Sequence, residues 1–155
     1  MPRWLSRMLV NSIAMIVFLS LVPGAANANE FTPVGLWKTV DDNTGKPRGL
    51  VRLTRVNGAY QGKIERIFPK PGEVKNPRCD KCEGARQGQP IVGMTILWGL
   101  TKQGEEYEGG EILDPESGRI YRVKMTIADE GQKLLVRGFI GFSLLGRTQV
   151  WLRQE

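Results

Sequence analysis

The sequence predicts an all-β fold, and within that class an eight-stranded antiparallel up-and-down barrel in preference to a two-sheet β-sandwich. Three observations carry this expectation. Clusters of Gly, Asn, Asp and Pro cut the chain at short, regular intervals, and the segments between them alternate apolar and polar side chains with a period of two. A strand-like segment also stands at each end of the expected domain, and each would keep an unpaired edge unless the two meet.

Residues 1–28 read as a targeting segment. Arg3 and Arg7 give a basic start, an apolar stretch covers residues 8–22, and Pro23-Gly24 leads to Ala26-Asn27-Ala28. That is the pattern of a secretory signal peptide cleaved after Ala28, and the apolar run is shorter than the roughly 20 residues a spanning helix needs. The expectation is therefore a protein exported to the periplasm, with residues 29–155 as a single barrel domain and no transmembrane span after cleavage. A chain of that length buries roughly two-thirds of its unfolded surface, enough for one core.

Removing Arg3 and Arg7 from the formal charge of +6 leaves +4, spread along the chain without a cluster. This argues against a nucleic-acid partner, which calls for grouped Lys and Arg. Mild attraction to an anionic membrane surface, as a peripheral contact, stays open. The chain contains no histidine. Triads built on a His base, imidazole metal sites and c-type haem attachment are excluded by that absence.

The strands follow in order. Gly35-Leu36-Trp37-Lys38-Thr39-Val40 makes the first, ended by the turn residues Asp41-Asp42-Asn43-Thr44-Gly45-Lys46-Pro47. Asn57-Gly58 between residues 50–56 and 59–68 is the strongest short hairpin signal a sequence offers. On its two sides Val51 and Leu53 oppose Arg52 and Thr54, and Tyr60, Gly62 and Ile64 oppose Gln61, Lys63 and Glu65. Residues 91–100 are apolar almost throughout, with Met94, Ile96 and Trp98 on one face and Thr95 and Leu97 on the other. Both faces then need cover, the second from the long loop at residues 69–90. Breaks at residues 102–105, 114–118 and 129–132 separate further strands, among them residues 119–127, where Tyr121, Val123, Met125 and Ile127 share a face. Residues 134–153 read as two strands about a bend at 141–146. Leu134, Val136 and Ile140 share one parity there, and Thr148, Val150 and Leu152 another. Glycines within strands, at 62, 93, 109, 110 and 138, suit the sharp bends and close approaches of a small barrel.

Several constellations are candidates for chemistry. Cys79-Asp80-Lys81-Cys82 lies in the long loop, where Arg78 and Lys81 could activate a redox thiolate. The all-β context is wrong for that role, and a local disulfide in an oxidising compartment is favoured. A ring so short contributes only about 2 kcal/mol, so it pins a loop tip. Glu111 and Arg137, each flanked by apolar or glycine residues, are read either as an inward polar spot that fixes a ligand or as an outward ion pair, and the outward reading has more weight. Tyr121 joins them as a candidate ligand-binding residue. Asp41, Asp42, Asn43 and Thr44 could offer oxygens to calcium, but turn chemistry explains them better, and no metal or other cofactor is expected. Asp114 and Glu116 sit in a surface turn with no reason for a shifted pKa, so they are not read as catalytic. Phe142, Leu144 and Leu145 either stand exposed at a hairpin end, where they could meet a membrane, a ligand or a partner, or fold back and plug the barrel; the plug is favoured.

Two resemblances add to this reading. Gly35-Leu36-Trp37, with Trp151 and Arg153 on the last strand, resembles the calycin arrangement of lipocalins, in which a basic side chain from the final strand covers an inward Trp at the barrel's closed end. Trp37, Trp151 and Arg153 are therefore the expected closure. Nearly all of residues 29–155 resembles the exported bacterial family catalogued as domain of unknown function 2147. The match runs through Gly62-Lys63-Ile64, the paired cysteines, Gly109-Gly110-Glu111-Ile112-Leu113-Asp114-Pro115-Glu116-Ser117-Gly118, and Val136-Arg137-Gly138 to Trp151. This resemblance implies an envelope location and a calycin-like barrel and supplies no catalytic residues. The expected function is binding of a small, partly apolar molecule or an envelope component, without enzymatic activity. The alternative is a structural or interaction module with a filled core.

Overall fold

The computed structural model describes residues 31–155. The expected signal peptide, residues 1–28, lies outside the described residues. Eight strands follow one another: β1 (Gly35–Val40), β2 (Pro47–Val56), β3 (Ala59–Ile67), β4 (Thr95–Gln103), β5 (Glu106–Asp114), β6 (Arg119–Ala128), β7 (Lys133–Phe139) and β8 (Arg147–Arg153). Each pairs antiparallel with the next, and β8 returns to β1, where Trp37 faces Arg153 and Lys38 faces Leu152. The sheet closes as an up-and-down barrel with no free edge, so the sandwich alternative is set aside.

The local chemistry agrees with the connections. Asn57 and Gly58 both have positive φ, 50° and 84°, the geometry of the two-residue hairpin turn that Asn-Gly favours. Between β3 and β4 the long loop carries one 3-10 turn, Gly84–Arg86, and a second such turn, Ser143–Leu145, sits between β7 and β8.

Side-chain parity sets the core. Trp37 on β1, Val51 and Leu53 on β2, Tyr60 and Ile64 on β3, Val123 and Met125 on β6, Leu134 and Val136 on β7, and Trp151 on β8 are all buried in one cluster. On β8 it is therefore Trp151, and not the flanking Val150 and Leu152, that enters the core. At Gly62 an added Cβ would lie 2.7 Å from a methyl of Leu53. The glycine is what lets Leu53 cross the barrel at that level.

β4 departs from the alternation expected of it. The ladder between β3 and β4 slips, with Gly62 opposite Leu97 and Lys63 opposite Thr95. Ile96 is thus an extra residue in a bulge, and both Ile96 and Leu97 are buried. The slip moves Trp98 to the outer wall, where it pairs with Glu111 and lies under Arg86 of the long loop, the guanidinium carbon 4.5 Å from the ring centroid. The loop does cover the second face of β4, through a cation on an aromatic ring.

Candidate functional site

The two ends of the barrel differ. At the end formed by the start of β1 and the finish of β8, Trp37 is fully buried and donates its indole N–H to the Pro33 carbonyl at 2.7 Å. Arg153 lies over its face and donates to the carbonyls of Gly131, Thr32, Val34 and Glu155. Tyr60 and Tyr107 meet edge to face at 4.9 Å, and Leu53, Leu100, Met125 and Leu134 fill the space with no exposure. This end is closed by packing.

The opposite end is open. A cavity of about 870 Å³ enters between the β1–β2, β3–β4, β5–β6 and β7–β8 connections and runs down to Trp151. Its wall is largely aliphatic, with Val51, Ile64, Ile112 and Val136, and a few polar groups face into it. Gln149 pairs with the buried Val136 across β7 and β8, and its Oε1 accepts the Trp151 indole N–H at 3.3 Å. Tyr121 faces Ile112 across β5 and β6. Its hydroxyl has no hydrogen-bond partner among the described residues and is free to serve an occupant. The cavity's volume falls within the range of small-molecule sites.

Charged side chains ring the mouth and are mostly paired. Arg48 joins Glu73 at 2.9 Å and Glu116 at 2.6 Å. Arg147 reaches Asp42, its Nε donating at 2.5 Å. Asp41 Oδ1 accepts from the main-chain N–H groups of Asn43 and Thr44, while Oδ2 meets the Lys70 ammonium at 2.8 Å. The Lys70 ammonium, then the Thr44 N–H, hold the Asp41 carboxyl well below the usual carboxylate range. These oxygens close a turn, and among the described residues no three His, Cys, Asp or Glu side chains converge as metal ligands would.

Of the candidate ligand-binding residues, the cavity receives Tyr121 alone. Glu111 and Arg137 neither face inward nor meet each other, because β6 lies between their strands. Glu111 lies on the outer wall, where its carboxylate accepts the Trp98 indole N–H at 3.1 Å. Arg137, also turned outward, donates to the Ser143 carbonyl at 2.6 Å, the Leu144 carbonyl at 3.1 Å and Thr148 Oγ1 at 2.8 Å. The physical reason is register: Gly110 and Ile112 carry the inward parity of β5, and Val136 and Gly138 that of β7. Ile112 and Gln149, which the sequence reading passed over, are the residues on the wall. Gln149 stands two positions before Trp151, so alternation could have found it, whereas Ile112 follows a register shift between Tyr107 and Gly110 that alternation does not show.

The favoured plug also fails. Phe142, Leu144 and Leu145 are 80, 88 and 81 % exposed and Ile140 is 66 % exposed. The two bonds from Arg137 to the Ser143 and Leu144 carbonyls fix the Ser143–Leu145 turn at the rim, and the barrel end it would fill stays open. Cys79 and Cys82 form a disulfide, and both are buried within the core cluster. The Cys79 sulfur lies 3.4 Å from the Pro115 carbonyl oxygen, so the clip seats the long loop on the β5–β6 turn.

A family model described as an uncharacterized protein conserved in bacteria (DUF2147) matches residues 35–153, from the first residue of β1 to the last of β8. Among solved structures, protein HP1028 from the human pathogen Helicobacter pylori, described as belonging to the lipocalin family, is similar to this chain. The TM-score is 0.67 at 19% sequence identity, over 79% of this chain and 82% of that one. At that identity the likeness is one of fold. No curated protein matches the chain.

Proposed function

The chain belongs to the bacterial DUF2147 family, and from that membership together with its lipocalin-like open barrel we propose that it is a periplasmic carrier of a small, partly apolar molecule. Removal of residues 1–28 on export, with residues 29–155 as the working barrel domain, is part of the same proposal. The observation that supports it is the cavity of about 870 Å³, closed at one end by Trp37, Arg153 and Trp151 and open at the other. A structural module with a filled core has no use for that space. The aliphatic wall would hold the apolar part of the occupant by the hydrophobic effect, and Tyr121 and Gln149 would orient its polar part. Among the described residues no acid–base or nucleophilic group stands in the cavity in a setting that would activate it, and binding without turnover is the reading offered.

Native mass spectrometry of protein purified from its own cell envelope tests this directly. The expected result is a mass excess that is lost on denaturation. In parallel, the apolar dye anilinonaphthalene sulfonate should bind stripped protein at a single site with micromolar affinity, roughly the range of partly apolar ligands in preformed pockets. Protein that retains no ligand and takes up no dye would sink the carrier reading in favour of the structural one.

A further inference from the structure

The β7–β8 connection presents apolar side chains to solvent at the lip of the cavity. Phe142, Leu144, Leu145 and Ile140 are the most exposed large apolar residues of the barrel besides Val74 of the long loop, at 66 to 88 %. They stand together on one seven-residue span, where single exposed apolar residues would need no explanation. The exposure is built into the fold. Arg137 gives its guanidinium to the main-chain oxygens of Ser143 and Leu144 and so holds the turn in place. A buried or disordered loop would need no such brace.

Two further observations say what this surface meets. First, Ile140 and Leu145 line the cavity as well as facing solvent, so an apolar path runs from the exposed loop into the barrel. Second, three cations on the rim have no carboxylate partner among the described residues. Residues 139–146 contain no carboxylate. The rim acids Asp41, Asp42, Glu73 and Glu116 are engaged by Lys70, Arg147 and Arg48, the last shared by Glu73 and Glu116, and Asp114 is hydrogen-bonded within its own turn by Glu116 N–H and Ser117. The three cations are Arg66 at the mouth and Lys38 and Lys46 in the adjoining groove, and they leave the rim a small positive balance. An apolar tip with unpaired cations beside it is the pattern that inserts into a bilayer interface and is drawn to anionic headgroups.

We infer that the Ile140–Leu145 tip is a membrane-docking element: it inserts into the surface of an anionic lipid bilayer and brings the cavity mouth against the membrane, where a lipophilic occupant can be exchanged. The docking extends the carrier reading but is measured separately from it. On general grounds each apolar side chain that leaves water for the interface strengthens binding on the order of tenfold. Each nearby cation adds about fivefold on an anionic surface and nothing on a neutral one.

The test is co-sedimentation of the purified protein with vesicles of phosphatidylcholine alone and with vesicles of equal parts phosphatidylglycerol and phosphatidylcholine. The wild type should bind the anionic vesicles, more weakly in high salt, and bind the neutral ones poorly. The double variant Phe142→Ser, Leu144→Ser, which leaves the cavity-lining Leu145 in place, should unfold at the wild-type temperature and bind anilinonaphthalene sulfonate as before, yet lose vesicle affinity by about a hundredfold. Phe142→Trp should keep binding and shift its emission to the blue only with vesicles. Equal binding by wild type and double variant overturns the inference, as does a wild type that ignores both vesicle types. A wild type that instead dimerises through this loop in size-exclusion chromatography, with the dimer lost in the double variant, overturns it too. Loss of dye uptake with vesicle binding intact would count against the carrier reading and leave the docking standing.

Discussion

The guanidinium carbon of Arg153 lies 4.2 Å from the ring centroid of Trp37, the last strand covering the first across the seam that closes the barrel. The arrangement combines a cation on an aromatic face with four bonds to main-chain oxygens, those of Thr32, Val34, Gly131 and Glu155. The β1–β8 ladder itself is short, only two residue pairs. Arg153 thus supplies much of what a longer ladder would have provided.

Trp37→Ala should destabilise the protein by about 3 to 5 kcal/mol in denaturant unfolding, the range for large aromatic truncations in a core. Arg153→Ala should cost about 1 to 3 kcal/mol, through lost bonds to four main-chain oxygens and lost packing of its stem. A double-mutant cycle should show coupling of at least about 0.5 kcal/mol. Additive effects would mean that the two residues support different parts of the closed end.

Strand number and order were legible because alternation and turn chemistry are local, and every pairing but that of β1 with β8 joins consecutive strands. The closure residues were legible for a different reason: Trp37, Trp151 and Arg153 form a pattern between the chain's two ends. The errors share one origin. A bulge shifts parity by one without a clear mark in the sequence, so Trp98 was read with Ile96 as one face, and the structure separates them. For Glu111 the outward reading had more weight, but its apolar neighbours left the inward one open; counted by twos from the buried Tyr107 it would face in, and the register shift between Tyr107 and Gly110 turns it out. The exposed tip was misread because an apolar run is normally buried, and the brace from Arg137 is a tertiary fact.

Gly118 has φ +74°, and a Cβ there would lie against the Lys81 carbonyl. The β5–β6 turn therefore seats the disulfide loop by backbone contact. Gly118→Ala should cost about 1 to 3 kcal/mol from the left-handed backbone, plus the displaced loop. Replacing Cys79 and Cys82 with Ser should exceed the roughly 2 kcal/mol of ring entropy, because two hydroxyls would enter a buried apolar site. The Ala pair should stay nearer that figure. Thermal unfolding of the three variants would check the order, and a Ser pair no worse than the Ala pair would refute the burial argument.

Acid should loosen the ion pairs of the mouth. Asp41 is held low mainly by the Lys70 side chain, and Glu73 mainly by the Lys70 main-chain N–H and then by Arg48. Depressed carboxyl pKa values stabilise the fold above the unfolded values, about 3.9 for Asp and 4.3 for Glu, and that contribution fades as pH falls below them. Lys70→Met removes the first cause for Asp41 and leaves the first cause for Glu73. Carboxyl-carbon NMR titration should then find Asp41 raised toward its ordinary value with Glu73 still low. Parallel movement of both would show that the ammonium, and not the backbone, holds Glu73.

Gly138 offers a way to fill the cavity without touching its rim. A Cβ there would lie 3.6 Å from Tyr121 Cβ and 3.7 Å from Ile112 Cγ2, ordinary contact distances, and the residue does not have positive φ. Gly138→Leu should therefore fold, with a stability change below about 1.5 kcal/mol, while its side chain occupies the space between Tyr121 and Ile112. Affinity for anilinonaphthalene sulfonate should fall by at least about tenfold. Glu111→Ala, on the outer wall beside Trp98, should leave that affinity within about twofold, since it removes no contact with an occupant. A stable Gly138→Leu protein that binds the dye as the wild type does would place the site outside the barrel, and sensitivity to Glu111→Ala would point to the outer wall.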